Sequence, residues 1–279
     1  MSDNDGSGSR GAGAWRLGVV SYLNSVPLAW GFTSGPYGQY VRQVRDVPSR
    51  LAEYLHGGDL DAAIVSSIEC FRDGHADVLP GLGIAATGKV LSIKLFATRD
   101  LTRVCKVALD SGSRSAAALT QVLFAELCGT APRFVRRPPD LEAMLSECDA
   151  ALLIGDAALR AEAPPGVDEY DLGEVWYGLT GLPFVYALWG GKQESFSAGL
   201  AGLLWRSWEY GMEHLTEIAD SESARLGLSR QLCLDYLGQV ITYKLGEAEE
   251  AGLCKFLELA AKHDLLGAMP RVRVAVSGR

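Results

Sequence analysis

The chain lacks the sequence features that mark most cofactor, metal and membrane sites. It contains neither a GxGxxG nor a GxxxxGK[ST] motif, and its four histidines form no HExxH pair. Its longest apolar runs, at 150–154 and 182–189, are much shorter than the roughly 20 residues that span a bilayer. The sequence therefore predicts no cofactor, no bound metal and no contact with a membrane, and we interpret the histidines as surface residues.

Cysteine is present, but its arrangement favours neither disulfides nor zinc. Six cysteines are scattered without a CxxC pair or a nearby histidine, which is typical of reduced and mostly buried thiols. Residues 1–14 are rich in Gly, Ser and Asp and lack the apolar segment of a secretory signal. We interpret them as a disordered tail and expect a cytoplasmic protein.

Basic charge is also scarce. The chain has 26 Lys and Arg residues against 34 Asp and Glu residues, so its formal net charge is −8. Nucleic acid requires concentrated basic side chains, and we expect no nucleic-acid partner. An anionic small molecule would have to be held by local groups. The sequence does not predict the oligomeric state.

The hydrophobic content of 48% is that of a globular protein, and its pattern predicts an α/β fold. Short apolar strands alternate with amphipathic helices, which favours parallel βαβ units. Pro48 begins one helix, whose buried residues are Leu51, Ala52 and Leu55 and which ends at Gly57. The other predicted strands and helices are strands at 17–20, 42–47, 60–65, 81–85, 90–98, 106–109, 134–136, 150–154 and 184–189, and helices at 116–128, 141–145, 195–214, 221–227, 229–242 and 247–263.

The domain organisation follows from the absence of a flexible linker or internal repeat. We expect two lobes between which the chain crosses near 98–103 and 182–190. The first lobe would be discontinuous, with residues 15–98 and 186–279, and residues 99–185 would form the second. Each lobe would have a mixed or parallel sheet with flanking helices, and a ligand cleft would lie between them.

The segment 21–28 is the most informative stretch of the chain. It follows the apolar run 17–20 and reaches Pro27, which predicts a strand that ends in a loop at the start of a helix. Open α/β sheets bind ligands at such places. Asn24 lies in this loop, although Asn is also common as a simple turn former where strands end, and that alternative stays open.

A second candidate is the loop 111–115, where Ser113 could cap the following helix. Free backbone N–H groups and the helix dipole at that point favour a carboxylate. The alternative is that Ser113 is only a cap and that Arg114 faces solvent. The remaining polar candidates also have structural alternatives as helix caps, turns or solvated faces: Ser66, Ser67 and Glu69, Ser92 with Lys94, and Thr180 with Gly181. The residues alone thus indicate a two-lobed α/β protein that binds a small anion.

Several motifs taken together resemble the chorismate dehydratase family of the futalosine route to menaquinone. Each motif is weak by itself, but their order and spacing are specific, and they cover nearly the whole chain after Trp15. The matching stretches are 20–28, Pro48-Ser49 with 55–61, 88–95, 113–115, 152–159, 170–189 and 236–256. The family often has Ser-Arg-Thr-Ser where this chain has Ser113-Arg114-Ser115-Ala116, so one hydroxyl is lost at Ala116.

The resemblance implies a fold like that of the type II periplasmic binding proteins, used as an enzyme. The reaction it implies is the removal of water from chorismate to give 3-[(1-carboxyvinyl)oxy]benzoate, without a cofactor. The substrate's own enolpyruvyl carboxylate would take the proton, with Asn24 and Ser92 as catalytic residues that hold the carboxylate and the ring in place. The residues expected to bind substrate are Ser21, Tyr22, Ser66, Ser113, Arg114, Ser115, Gly155, Asp156, Thr180 and Gly181.

Two other functions are weighed against this one. The sibling enzyme that makes dihydroxynaphthoate in the same pathway has a Ser-Pro-type motif at its first strand and depends on a motif histidine, and the chain shows neither. A non-catalytic solute-binding protein would need a signal peptide or lipid anchor, which residues 1–14 do not provide.

Overall fold

The computed structural model describes residues 14–72, 77–112 and 114–266, and its strands form two sheets. The predicted tail, apart from Ala14, lies outside the described residues, as do Ser113 and His75. The strands are β1 (Trp15–Val20), β2 (Val41–Asp46), β3 (Ala62–Ser66), β4 (Asp77–Ala86), β5 (Ile93–Ala97), β6 (Lys106–Asp110), β7 (Arg133–Arg137), β8 (Ala150–Ile154), β9 (Asp168–Asp171), β10 (Phe184–Gly191) and β11 (Thr242–Lys244).

The helices flank these sheets and dominate the C-terminal third of the chain. They are α1 (Val26–Thr33), α2 (Pro48–His56), α3 (Ser67–Phe71), α4 (Arg114–Leu123), α5 (Leu141–Glu147), α6 (Gly155–Arg160), α7 (Leu172–Thr180), α8 (Gln193–Ser195), α9 (Ala201–Glu213), α10 (Leu215–Leu226), α11 (Arg230–Asp235) and α12 (Glu247–Lys262). Among the described residues, no helix combines the length and the apolar character that a membrane crossing requires.

Both sheets are mixed. The first has the order β11-β4-β10-β3-β1-β2, in which β1 is parallel to β2 and β3 while β10 is antiparallel to its two neighbours. The second has the order β7-β6-β8-β5-β9, in which β6 is parallel to its neighbours and β5 antiparallel to its own. One buried apolar cluster runs through both sheets, from Leu17 and Ile64 in the first to Leu109 and Leu152 in the second. The sheets are therefore packed around a shared core.

The predicted boundary between the lobes is wrong for one strand. The prediction put residues 15–98 in the first lobe, but β5 pairs with β8 and β9 of the second sheet. The apolar pattern of β5 identifies a strand without showing which neighbours it will pair with, so the sequence could not decide this. The division into two lobes as such stays a prediction.

Several elements were not predicted, and one helix starts earlier than expected. The missing elements include α3, which has only five residues, β9, whose sequence is mostly charged, α7, which contains two glycines, and β11, which has only three residues. The helix expected at 221–227 is the second half of α10. By contrast, α2 has the predicted buried residues and is followed by Gly57.

The helix that follows the Asn24 loop is packed against α9 at very close range. A methyl group at Gly211 would lie 2.1 Å from the carbonyl oxygen of Pro27, so only glycine fits there. Ser207, one turn earlier in α9, donates a hydrogen bond to the carbonyl of Leu28 at 3.0 Å. The position of α1, and with it the end of the loop, depends on this contact.

We predict that Gly211→Ala lowers the free energy of unfolding by about 1–3 kcal/mol, because the added methyl group forces α1 and α9 apart. Urea denaturation measures the effect. Gly202→Ala in the same helix is the matched control, since a methyl group there meets only the Arg206 side chain at 3.6 Å. This control should be neutral or more stable by up to about 1 kcal/mol, as alanine is the better helix former. Equal stability of the two variants would contradict the packing argument.

Candidate active site

A cavity with an empty volume of about 430 Å³ lies between the two sheets. The first sheet contributes the ends of β1, β3 and β4 and the first half of β10, and the second sheet contributes the start of β5 and the end of β8. The lining residues are Val20, Tyr22, Asn24, Pro48, Ser66, Ile84, Ile93, Ile154, Gly155, Tyr186 and Ala187. Four of the residues expected at the site, namely Tyr22, Asn24, Ser66 and Gly155, are among them.

The loop that carries Asn24 is fixed through its backbone. After β1 the chain makes a single 3₁₀ turn, Leu23–Ser25, and the hydroxyl of buried Ser25 bonds the carbonyls of Val20 and Tyr22. The hydroxyl of Tyr243 donates to the carbonyl oxygen of Asn24 at 3.0 Å. With its main chain held in this way, Asn24 lines the cavity.

Asp156 holds the same loop from the other side. Its carboxylate accepts the N–H of Leu23 at 2.8 Å and lies 3.5 Å from a guanidinium nitrogen of Arg225. Burial raises the pKa of Asp156, while these donors favour its charged form. Asp156 was expected to bind substrate, but it is not among the described residues that line the cavity, and its visible role is to tie α6 to the Asn24 loop.

Tyr22 packs over the ends of two strands of the second sheet. A methyl group at Gly155 would lie 2.9 Å from its ring, and one at Gly112 would lie 2.5 Å from its hydroxyl. Gly155 also has a positive φ of 57°, a backbone conformation that glycine adopts most easily. Burial, with Asp110 and Asp156 nearby, raises the pKa of Tyr22 well above its usual value. The phenol therefore stays protonated and is a neutral hydrogen-bond donor.

The predicted anion loop lies partly outside the described residues, and its described part joins α4 to α3. Ser115 is fully buried, lies 3.0 Å from the hydroxyl of Ser67 and accepts the N–H of Ile68. Arg114 is paired with Glu69, which is only 1% exposed, at 2.7 Å. Neither Arg114 nor Ser115 lines the cavity among the described residues.

The alternative expectation, in which these side chains face solvent, is also wrong. Arg114 is half-buried, and Ser66, Ser67 and Glu69 are buried. Ser66 is the member of the group that reaches the cavity, and its hydroxyl accepts the N–H of Arg114 at 3.4 Å. This contact places the first turn of α4 beside the cavity.

Three further expected residues lie away from the lining. Ser21 is exposed. Thr180 donates to the carbonyl of Trp176 at 2.9 Å, and Gly181 ends α7 with a φ of 69°. The structure therefore brings none of the three to the cavity within the described residues, and Thr180 and Gly181 act as the C-terminal cap of α7.

Ser92 is fully buried just behind the cavity wall. It precedes β5 rather than lying within the strand, so the expected half-exposed strand face is wrong. Its hydroxyl oxygen accepts a hydrogen bond from the hydroxyl of Tyr236 at 2.8 Å, and its carbonyl accepts the N–H of Gly155 at 2.8 Å. The next residue, Ile93, lines the cavity.

Asp171 shapes the segment that delivers Ser92, and the sequence analysis missed it. Its carboxylate accepts the N–H groups of Val90 and Leu91 as well as those of Gly173 and Glu174 at the start of α7. Leu91 has a φ of 64°, which is uncommon for a residue with a side chain. The sequence Asp171-Leu172-Gly173-Glu174 has the pattern of a capping box, and this signal could have been used.

Tyr186 was also missed. It lines the cavity from β10, and its buried hydroxyl has no hydrogen-bond partner among the described residues. Burial raises the pKa of Tyr186 well above its usual value, so the group is neutral. A polar tyrosine within the apolar run 184–189 was the signal available in the sequence.

The described residues that line the cavity carry no charged side chain. Their polar groups are an amide, a serine hydroxyl and two phenols, and the N-terminal turn of α4 lies beside them. Such a site can bind an anion through neutral donors. It provides no side chain that accepts a proton readily near neutral pH, because amides, serine hydroxyls and protonated phenols are weak bases.

Comparison with known proteins identifies the family. The sequence profile of a family described as menaquinone biosynthesis matches residues 15–262. The chain belongs to this family. It is 33% identical over 262 residues to a chorismate dehydratase of Thermus thermophilus, with 87% of this chain and 93% of that protein covered. It is 29% identical over 175 residues to a chorismate dehydratase of Campylobacter jejuni, with 61% and 65% covered. The resemblance stated from the motifs is thus confirmed.

Solved structures confirm the expected fold of this family member. Protein AF1704 from Archaeoglobus fulgidus has a TM-score of 0.74 at 18% identity, with 92% of this chain and 100% of that chain covered. The periplasmic aliphatic sulphonate binding protein SsuA from Escherichia coli has a TM-score of 0.66 at 15% identity, with 95% and 92% covered. The fold is therefore that of the periplasmic binding proteins.

We predict that Asp171→Ala lowers the free energy of unfolding by about 2–3 kcal/mol, since one substitution removes a helix cap and the acceptor for the strained 90–91 segment. Thermal or urea unfolding measures it. Asp140→Ala is the matched control, because Asp140 caps α5 by accepting only the N–H of Ala143. A loss at Asp171 no larger than the loss at Asp140 would contradict the double role.

Proposed function

We propose that this chain removes water from chorismate to give 3-[(1-carboxyvinyl)oxy]benzoate, the first step of the futalosine route to menaquinone. Its family membership and its two chorismate dehydratase relatives support this reaction. The observation that carries the proposal is the uncharged, hydrogen-bonding cavity between the sheets, with Asn24 on its wall. Chorismate is a dianion with an apolar ring, which such a cavity can accommodate.

The reaction proceeds by loss of a proton and then of hydroxide. The enolpyruvyl carboxylate of chorismate takes the proton from the ring carbon that carries the ether. The electron pair of that C–H bond delocalises through the ring diene towards the ring carboxylate and then expels the neighbouring hydroxyl. The carboxylic acid formed in the first step returns its proton to the departing hydroxide, so that water leaves and the carboxylate is restored. Formation of the aromatic ring is the driving force of the reaction.

The uncharged cavity makes the substrate carboxylate a better base. A carboxylate that is paired with arginine or lysine has a lowered pKa and holds a proton poorly. In the described lining there is no such cation, and removal from water raises the pKa of a carboxylate. A base whose pKa is closer to neutral transfers protons more effectively at the working pH. The enzyme thus needs no basic side chain of its own.

The protein groups position the substrate. The amide of Asn24 donates a hydrogen bond to the enolpyruvyl carboxylate. Ser92, which is buried behind the cavity wall, helps to hold the substrate in place. Ser66 and the first turn of α4 are placed to bind the ring carboxylate, where negative charge develops during proton removal. Closure of the two sheets over the ligand excludes water and holds the carboxylate near the proton it removes.

We infer that the reaction takes place in the cytoplasm. All six cysteines are free in the structure, and unpaired cysteines are typical of a reducing compartment. The small-molecule substrate is the one partner that the proposal requires.

We predict that Asn24→Ala lowers kcat for chorismate by about 100-fold or more and changes KM by only a few-fold, because the lost donor positions the carboxylate in the transition state. Conversion is followed by the ultraviolet change from diene to arene, with the product identified by mass.

Ser146→Ala is the control, as Ser146 is exposed on α5 and donates only to the carbonyl of Ala143. It should match the wild type. A wild-type protein that binds chorismate without converting it would indicate a solute-binding protein and overturn the proposed function. An unchanged rate in Asn24→Ala would overturn the role of Asn24.

A further inference from the structure

Tyr236 is a fully buried residue that reaches the site from the C-terminal helices. It begins a π-helical turn, Tyr236–Val240, directly after α11. Such turns are rare and are often found at functional sites. Its hydroxyl donates to the hydroxyl oxygen of Ser92 at 2.8 Å, across 144 residues of sequence. This bond joins the C-terminal helices to the segment that leads into β5.

The same phenol oxygen also interacts with Asn24. The side chain of Asn24 lies close enough to favour the ionised form of this phenol, while the hydroxyl of Tyr243 holds the Asn24 carbonyl. Burial raises the pKa of Tyr236 well above its usual value, so its hydrogen is present throughout the physiological range. One phenol therefore stands between the two residues to which catalysis is assigned.

The direction of the hydrogen bond from Tyr236 to Ser92 has a chemical consequence. A phenol has one hydrogen, which Tyr236 donates to Ser92, so its oxygen can only accept from the Asn24 amide. This fixes the amide with its nitrogen towards Tyr236, and the second N–H of that nitrogen remains for an anion. Because Ser92 accepts from Tyr236, the Ser92 hydroxyl keeps its own hydrogen to donate.

We propose that Tyr236 is a positioning residue that aims the hydrogens of Asn24 and Ser92 at the substrate. This inference rests on the proposed function, because it assigns to Tyr236 the orientation of donors that the dehydration uses. Without the phenol oxygen, the Asn24 amide can turn its carbonyl towards the carboxylate and repel it. The Ser92 hydroxyl likewise loses the donor that sets its direction.

Tyr236→Phe removes only the hydroxyl and tests the inference. We expect kcat for chorismate to fall by about 10- to 100-fold, as small losses of alignment have effects of this size, with KM changed less than about threefold. The protein should remain folded at the assay temperature by circular dichroism. Thr120→Val is the matched control, because it removes another buried hydroxyl, whose partner is the carbonyl of Ala116 one turn earlier in the same helix. It should keep wild-type kcat.

A double-mutant cycle separates positioning from a general effect on stability. If Tyr236 acts through Ser92, Tyr236→Phe should lower kcat much less in a Ser92→Ala background than in the wild type. Effects that multiply in full, both in this background and in an Asn24→Ala background, would overturn the inference, as would a Tyr236→Phe enzyme with kcat within twofold of the wild type.

The outcomes also distinguish the inference from the proposed function. A wild-type protein that leaves chorismate unchanged overturns the proposed function. A wild-type protein that converts chorismate, together with an unimpaired Tyr236→Phe variant, overturns only the role of Tyr236.

Discussion

The hydrogen bond from the N–H of Leu23 to the carboxylate of Asp156 is the contact on which the site depends. It joins the loop after β1, in the first sheet, to α6, which follows β8 of the second sheet. With that bond in place, Asn24 lies on the wall of the cavity between the sheets. A buried carboxylate left without its donors would be costly, so the contact favours this arrangement of the Asn24 loop and α6.

Electrostatics in the cavity explain how an enzyme can work here without a basic residue of its own. Buried carboxylates such as Asp110 and Asp156, which are not among the lining residues, are satisfied by backbone N–H groups. The lining itself offers amide, hydroxyl and phenol donors, which bind an anion and lower its basicity less than a cation would. The fold is shared with periplasmic binding proteins, so the chemistry comes from the local groups rather than from the architecture.

Local sequence signals predicted the parts of the site that are themselves local. Pro27 and the apolar run before it predicted the strand, loop and helix that carry Asn24, and Pro48 predicted α2. Contacts between distant segments were not predictable in this way. Tyr236 meets Ser92 across 144 residues of sequence, and Asp156 faces Leu23 rather than the cavity because of how the two sheets pack. Residue type and spacing identify a loop near a site, but not which side chains point into it.

A crystal structure with the product bound is the sharpest test of the proposed dehydration of chorismate in the cavity between the two sheets. We expect 3-[(1-carboxyvinyl)oxy]benzoate in the cavity, with its enolpyruvyl carboxylate within hydrogen-bonding distance of the Asn24 amide and its ring carboxylate near Ser66 and the first turn of α4. A product molecule bound outside this cavity, or an Asn24 side chain that points away from it, would overturn the proposal.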